Sequence, residues 1–298
     1  MTSTATTGRR LGIRRGAFAP YLFVAPAFIF FAIWVIYPII QSFIVSFYDW
    51  SGFGAGTFIG LDNYRELFDS HQFWVSLKNN VLWLVLFMLA PPLGLLIALF
   101  LNQQILGIRL AKSLFFFPFV LSQVVIGLVF SWFYQPVGGL INAILGAFGI
   151  PPVAVLSNPV LVNFGIIAAG LWPQIAYCMI IYLTGLNSVN PEQIEAARLE
   201  GAKGVRLLWH VILPQLRAAT FIAVVITVIG ALRSFDLVAI MTQGGPFNSS
   251  SVLAWYMYQE SITNYRLGYG AAIAVILFLI MSVFIAYFLW RIVRDRQR

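Results

Sequence analysis

Charge is what this sequence has least of. Of its 298 residues only 9% are Asp, Glu, Lys or Arg, against about 25% in an ordinary soluble domain. With 60% hydrophobic residues and a mean hydropathy of +0.88, there is too little polar surface to cover a water-soluble core, and no stretch reads as a soluble domain of any size. The chain reads as a polytopic membrane protein. There is one cysteine, Cys178, inside an apolar run. That excludes a disulfide framework and a cysteine metal site, and leaves a small buried apolar residue as its ordinary role. The two histidines, His71 and His210, are far apart. No Ser/His/Asp grouping, metal-spaced cluster or paired carboxylate within one loop offers an enzyme its acid, base or ligand set. Glu195 and Glu200 lie on one predicted helix but point different ways. No metal, cofactor or catalytic residue is expected. There is also no Gly-x-x-x-x-Gly-Lys-Ser/Thr loop to cradle ATP phosphates; Gly201-Ala202-Lys203-Gly204 lacks the spacing.

What the chain does have is long apolar runs. They fall at 19–47, 79–101, 113–134, 160–186, 218–240 and 268–292, each long enough for the ~20 residues a bilayer core requires. The expected fold is all-α, six transmembrane helices within 19–292, preceded by a basic segment 1–18 and followed by a basic tail 293–298. Arg9, Arg10, Arg14 and Arg15 ahead of the first run resemble the start of a signal peptide. The run continues past Pro26 and Pro38 to about Phe47 without a small-residue cleavage pattern, so an uncleaved first span is expected, and a twin-arginine export signal is rejected on the same ground.

The net charge of +8 is distributed in a telling way. Fourteen of the eighteen Lys and Arg fall in the two termini and the loops on one side of the predicted spans; Arg65, Lys78 and Arg266 fall on the other, and Arg233 lies within a span. The positive-inside rule then puts both termini, and the loop 190–216, in the cytoplasm. Such segregation has no place in a nucleic-acid-binding protein, and no nucleic acid partner is expected.

Several spans contain proline: Pro26, Pro38, Pro91, Pro92, Pro118 and Pro173. Each frees backbone carbonyls that neighbouring helices or cavity water must satisfy. In the first external loop Asp62 is expected to cap a short helix whose Tyr64, Leu67 and Phe68 face the membrane surface, while Arg65, Glu66 and Asp69 face water. The loop 135–159 carries no charge and is expected over the outer mouth or against a partner. Thr242-Gln243-Gly244-Gly245-Pro246 is a turn signal closing the fifth span.

The longest polar interruption of the second half runs from Asn190 to Leu216. Asn190 reads as an N-cap, Pro191 as the first helical residue, Glu192 as first-turn charge facing the macrodipole, and Gly201 as the stop. A helix of about ten residues is marginal without a partner, and a docking surface is one explanation for this stretch. Within it, Glu195-Ala196-Ala197, Gly201 six positions after the glutamate, then Val211, Leu213 and Pro214, resemble the EAA signature of bacterial and archaeal ABC-importer permeases. Glu200 stands where that family usually has Asp, and Val211 where it usually has Ile. Tyr37-Pro38, Ser46 to Trp50, Gly60-Leu61-Asp62-Asn63-Tyr64, Phe116 to Pro118, Asn190 to Glu192, Phe235-Asp236 and Gly244-Gly245-Pro246 resemble, in the same order, the carbohydrate-uptake branch of the maltose and glycerol-phosphate type.

The resemblance implies a type I ABC importer transmembrane domain forming half of the pathway for a sugar or sugar-like solute. Its implied partners are a second permease, expected to be a paralogue, two ATPase subunits that bind ATP and Mg, an extracellular solute-binding protein and the surrounding lipid. Its implied place is the cell membrane of a bacterium or archaeon. It assigns ATPase coupling to Glu195, Ala196, Ala197, Glu200, Gly201, Ala202, Leu213 and Pro214, with Glu195 as a charged contact, the alanines small enough for close approach and Gly201 setting the bend.

For the pathway, charged residues inside spans are costly and so functional candidates. Arg233 and Asp236 are three apart in the fifth run, hence on one face of a continuous helix. Trp172, Gln174 and Tyr177 surround Pro173 and offer a sugar an aromatic face and hydrogen-bonding groups. Two alternatives stay open: Trp172 and Tyr177 pack the bundle while the partner permease holds the solute, or the chain acts alone as a secondary transporter or channel. The latter class wants several intramembrane acids or histidines, and only Asp236 is available.

Overall fold

The computed structural model describes residues 19–103 and 106–296; the basic segment 1–18 and the last two residues of the tail lie outside them. Among the described residues, five helical stretches are long and apolar enough to cross a membrane: Tyr21–Val45, His71–Leu101, Val162–Leu186, Arg217–Met241 and Leu267–Arg291. The helices Ile108–Val120 and Gln123–Phe133, bent by 100° against each other, make a sixth candidate crossing, the third in chain order. The expected span over 113–134, with its internal Pro118, is found as two helices rather than one. Leu121 and Ser122 are extended (ψ 141° and 148°), and the Ser122 hydroxyl accepts from Val125 N at 3.3 Å, restarting the helix in a new direction. Pro118, one turn earlier, has already removed a backbone donor.

The second crossing starts at His71, capped by Ser70, eight residues before the apolar run of 79–101 begins. Lys78, Asn79 and Asn80 interrupt the hydropathy but not the helix. Asn79 donates to Ser249 O and Ser251 O, both at 2.7 Å, and Asn80 accepts from Leu253 N at 2.8 Å, so the Asn79 amide and the Asn80 oxygen are bonded within the protein, while Asn80 Nδ2 is buried without a partner among the described residues. Pro91 follows a short break at Met88 and Leu89 and falls in the first turn of Ala90–Leu101, where its missing N–H is not needed.

Two other prolines share one solution. Tyr37 N bonds to Ala32 O and Leu213 N to Leu208 O, five residues back. Each five-residue turn stands directly ahead of an X-Pro pair, Tyr37-Pro38 or Leu213-Pro214. The widened turn makes room for a ring that would otherwise strike the carbonyl four residues earlier.

Packing falls into three clusters along the bundle. Leu67, Phe73, Leu253, Tyr256, Tyr269 and Ile273 fill one end; Trp83, Phe87, Ile126, Ile166, Leu237 and Val238 the middle; Ala98, Leu101, Cys178, Met179, Tyr182 and Leu216 the end nearest Asn190. Close approach there relies on Gly94, where an added Cβ would sit 2.6 Å from Cys178 Cβ and 2.8 Å from Met179 N, the small-residue contact typical of membrane helices. By contrast, no described side chain of the first span is buried.

The loop after the first span differs from its expectation. Helix Asp62–Asp69 has Leu61 at its N-cap position without a side-chain cap; Asp62 instead pairs with Arg65 at 2.6 Å. Leu67 is fully buried in the end cluster rather than facing a membrane surface, and Asn63 donates to Ser46 O and Tyr48 O at 2.9 and 3.0 Å. The helix is anchored by protein contacts to the antiparallel pair Tyr48–Asp49 and Thr57–Phe58 and to the last span. The uncharged loop 135–159 contains helix Leu140–Ala147, pinned where Asn142 bonds to Gln135 O and to both backbone groups of Val153.

Candidate functional site

At the Asn190 end, local chemistry builds a closed loop. The Asn190 side chain accepts from Glu192 N at 2.9 Å and opens helix Pro191–Leu199. The helix ends with Ala202 N bonded to Ala197 O at 2.9 Å and Gly201 N to Arg198 O at 3.0 Å. Gly201 is left-handed at φ +86°, which completes a Schellman stop that a side chain would strain. Gln215 ties the two ends together, accepting from Asn190 N at 2.9 Å and donating to Val211 O at 3.0 Å.

Of the coupling residues expected from sequence, Glu195, Ala196, Glu200, Gly201 and Pro214 are exposed, while Ala197, Ala202 and Leu213 are half-buried. Neither Glu195 nor Glu200 forms an ion pair among the described residues. Ile194 turns inward onto the cluster around Leu216, whereas Leu199 is 91% exposed, Val205 70% and Trp209 61%. Three large apolar side chains in and after this helix are left uncovered by the described residues. Val205 and Trp209 carry no sequence signal beyond being apolar in a polar stretch.

The second site is a cavity of about 300 Å³ between the second, fourth and fifth crossings. Trp83, Phe87 and Phe235 supply aromatic wall; Gln123, Gln174, Arg233, Ser234 and Asp236 supply polar atoms. The expected single face for Arg233 and Asp236 is corrected. Helix Arg217–Leu232 ends with Arg233 as its C-cap and a new helix begins at Asp236. The two are brought to one cavity by a helix break, and they form no ion pair among the described residues. Ser234 donates to Ala231 O at 2.6 Å, satisfying a carbonyl that the break exposes.

The expected grouping of Trp172, Gln174 and Tyr177 is also corrected. Only Gln174 lines the cavity, together with Gly170 one turn before it. Trp172, 38% exposed, packs on Phe130 at 5.8 Å, and Tyr177 stacks on Phe119 at 5.2 Å. Both pack on the bent helix pair: Trp172 lies roughly opposite Gly170 and Gln174 in helical phase, whereas Tyr177 shares their face but lies further along the helix, beyond the cavity. Gln123, Trp83 and Phe87 are cavity residues that the sequence reading missed. Gln123 is the first residue of a restarted helix, a placement that only the unforeseen bend creates.

A bundle of lipid-length helices with a polar cavity at its middle and an uncovered loop at one end defines an integral membrane protein of the permease class. This chain belongs to the family described as binding-protein-dependent transport system inner membrane component, which it matches over residues 81–298. It is 34% identical to a probable ABC transporter permease protein of Pyrococcus horikoshii, over 96% of this chain and 100% of that one. It is 32% identical to the arabinooligosaccharides transport system permease protein AraP of Bacillus subtilis, over 89% and 85%, and 33% identical to the alpha-glucoside transport system permease protein AglF of Rhizobium meliloti, over 97% and 85%. The fold is that of a chain in the crystal structure of a bacterial alginate ABC transporter in complex with an alginate pentasaccharide-bound periplasmic protein. The TM-score is 0.81 and the identity 22%, over 93% of this chain and 94% of that chain.

Proposed function

We propose that this permease carries a sugar or sugar-like solute, handed over by an extracellular binding protein, through a pathway of which it forms one half. The uncovered face of Glu195, Leu199, Val205 and Trp209 carries the reading: it has the size and exposure to seat in a cleft of a separate ATPase subunit. Two such ATPases bind ATP and Mg and, on closing, draw the 190–216 loop and rock the bundle between two states. Glu195 is the charged contact; Ala196 and Ala197 allow close approach; Glu200, Gly201, Ala202, Leu213 and Pro214 set the loop's shape. The loop and both termini lie in the cytoplasm, on the strength of the Lys and Arg distribution, and the membrane is the cytoplasmic membrane of a bacterium or archaeon. A second permease, expected to be a paralogue, covers the first span, none of whose described side chains is buried.

The sugar reading is supported by relatives named for arabinooligosaccharides and alpha-glucosides, and by a cavity whose aromatic and amide groups suit C–H faces and hydroxyls. Gln174, Arg233 and Asp236 are its solute contacts here, with Trp172 and Tyr177 acting on the adjoining seam. The test is solute uptake by the complete transporter carrying Glu195→Lys or Gly201→Asp. Uptake is expected to collapse while the chain still inserts, and normal uptake by an inserted and assembled variant would overturn the coupling role. Transport by the purified chain alone in liposomes, without ATP, would instead favour a secondary transporter or channel.

A further inference from the structure

Helix Leu140–Ala147 is built the wrong way round for water. Its single polar side chain, Asn142, is buried and bonds to Gln135 O, Val153 O and Val153 N. Leu140, Ala143, Ile144 and Ala147, with Phe148 just beyond, are exposed and recur at intervals of three and four, so they form one outward face without a polar side chain. A helix on a water-facing surface shows the opposite arrangement. The turn that follows closes carbonyls of its own helix. Gly149 is left-handed at φ +74°, its N–H bonds to Gly146 O and that of Ile150 to Leu145 O, both at 3.0 Å, a Schellman end that needs little water. The helix also stands where a bilayer surface passes. Tyr134, just ahead of it, donates to Gly165 O at 3.0 Å near the start of Val162–Leu186, whose far end, Leu186, belongs to the cluster beside Asn190. It therefore lies at the end of the bundle opposite the Asn190 loop. Exposed Trp132 marks the same level, the usual station of an amphipathic ring between acyl chains and headgroups.

We propose that this helix lies in the interfacial layer of the leaflet at that end, with Leu140, Ile144 and Phe148 against the acyl and glycerol region of bilayer phospholipid. Two observations choose lipid over a protein partner. No Asp, Glu, Lys, Arg or His occurs between Lys112 and Glu192, so the loop has no charge with which to steer or register a soluble protein that must dock and leave. The face also follows directly in the chain from Leu128 and Trp132, exposed on a crossing of lipid-spanning composition. A free interfacial helix needs a charged side toward water. Here Ile141, Asn142 and Leu145 turn inward onto the protein instead, and the protein supplies that side. With no cation on the face, the contact depends on buried apolar area and not on anionic headgroups. The bond from Asn142 to Gln135 O, two residues past Phe133, then fastens the end of the bent helix pair to the leaflet.

The experiment is site-directed spin labelling of the complete transporter, made otherwise free of cysteine (Cys178→Ala in this chain), in vesicles of phosphatidylcholine alone and of phosphatidylcholine with phosphatidylglycerol. Nitroxides are attached in turn through Leu140→Cys, Ile144→Cys and Phe148→Cys on the outward face and Leu145→Cys on the inner side, each in a transporter whose subunits still co-purify. Power saturation compares collisions with oxygen, which concentrates in the acyl layer, and with a water-soluble nickel chelate. Labels at 140, 144 and 148 are expected to favour oxygen over nickel, equally in both kinds of vesicle, while both collision rates are low at 145. Nickel exceeding oxygen at 144 and 148 puts the face in water, and low rates for both reagents there put it under another protein; either result overturns the assignment. Oxygen preference confined to the phosphatidylglycerol vesicles overturns the uncharged contact.

Discussion

Arg266 grips Glu66 across 200 residues of sequence, its Nη2 lying 2.7 and 2.6 Å from the two carboxylate oxygens. The same guanidinium lies 4.3 Å from the Tyr269 ring centroid and 3.6 Å from Glu260. It thereby fastens the helix Asp62–Asp69 and the turn Gln259–Thr263 to the head of the last span. Burial pulls the Arg266 pKa down, but the hydrogen bond and charge of Glu66, with the charge of Glu260, outweigh it and raise the group above its ordinary value. A cation whose folded pKa is raised contributes stability below its unfolded pKa and loses it only as pH climbs through the folded one. Both values lie above working pH, so the clasp is expected to hold to about pH 10. Arg266→Gln should lower the thermal midpoint of the detergent-solubilised chain modestly. The pair is about half exposed, 43% and 52%, and so is worth at most about 1 kcal/mol. Arg266→Glu should cost more, by placing like charge against Glu66 and Glu260.

The loop at Asn190 is expected to loosen in two separable ways. Asn190→Ala removes the cap on Glu192 N and should cost about 1 kcal/mol of local stability. Gln215→Ala leaves the cap and unties the ends of the loop. Hydrogen exchange of amides in Pro191–Leu199 should accelerate in the first variant near the start of the helix. In the second it should accelerate along the entire stretch.

Asn79 holds the 249–251 segment in place through two carbonyls and accepts from Asn163 Nδ2 at 3.2 Å. Asn79→Ala strands Ser251 O in a buried setting, and we expect a loss of about 1–3 kcal/mol in the unfolding free energy. Asn79→Asp keeps the oxygen that accepts from Asn163 but replaces the donor with a second acceptor, set against the Ser249 and Ser251 carbonyls. It should fare no better, an outcome that denaturation of the purified chain can read.

Gly94→Ala tests the close helix contact. Its methyl would meet Cys178 and the Met179 backbone, and because backbone cannot rotate away, a cost of about 1–3 kcal/mol is expected. Relief by Cys178→Gly, which removes the Cβ in the way, should be partial, since the Met179 nitrogen remains. Thermal unfolding of the single and double variants measures both numbers.

How far the sequence could be read depended on whether the signal was local. Helix Pro191–Leu199 has its cap, its first-turn proline and its glycine stop within a dozen residues, and each of these acts on its immediate neighbours. The six apolar runs were likewise legible because a bilayer demands length and hydropathy alone. Features decided by contacts between distant segments were not. Lys78, Asn79 and Asn80 look like the edge of a span until Ser249, Ser251 and Leu253 arrive to bond the asparagines. The bend at Leu121 and Ser122 needed a choice between continuing past Pro118 and restarting at a serine cap, and hydropathy is blind to it. Trp172, Gln174 and Tyr177 flank one proline, yet Trp172 and Tyr177 meet Phe130 and Phe119 of the bent pair, and the partners that define the cavity with Gln174, Gln123 and Trp83, come from other crossings.

The side chain of Gln215 has one more consequence, mechanical in kind. It lies two residues ahead of Arg217, where the fifth crossing starts, and holds both Asn190 N and Val211 O. Displacement of the Pro191–Leu199 helix therefore reaches that crossing through a single amide, bypassing the slack of the intervening chain. The same crossing carries Gly230 and Arg233 further along, so strain applied at Asn190 has a short, stiff route to the wall of the cavity.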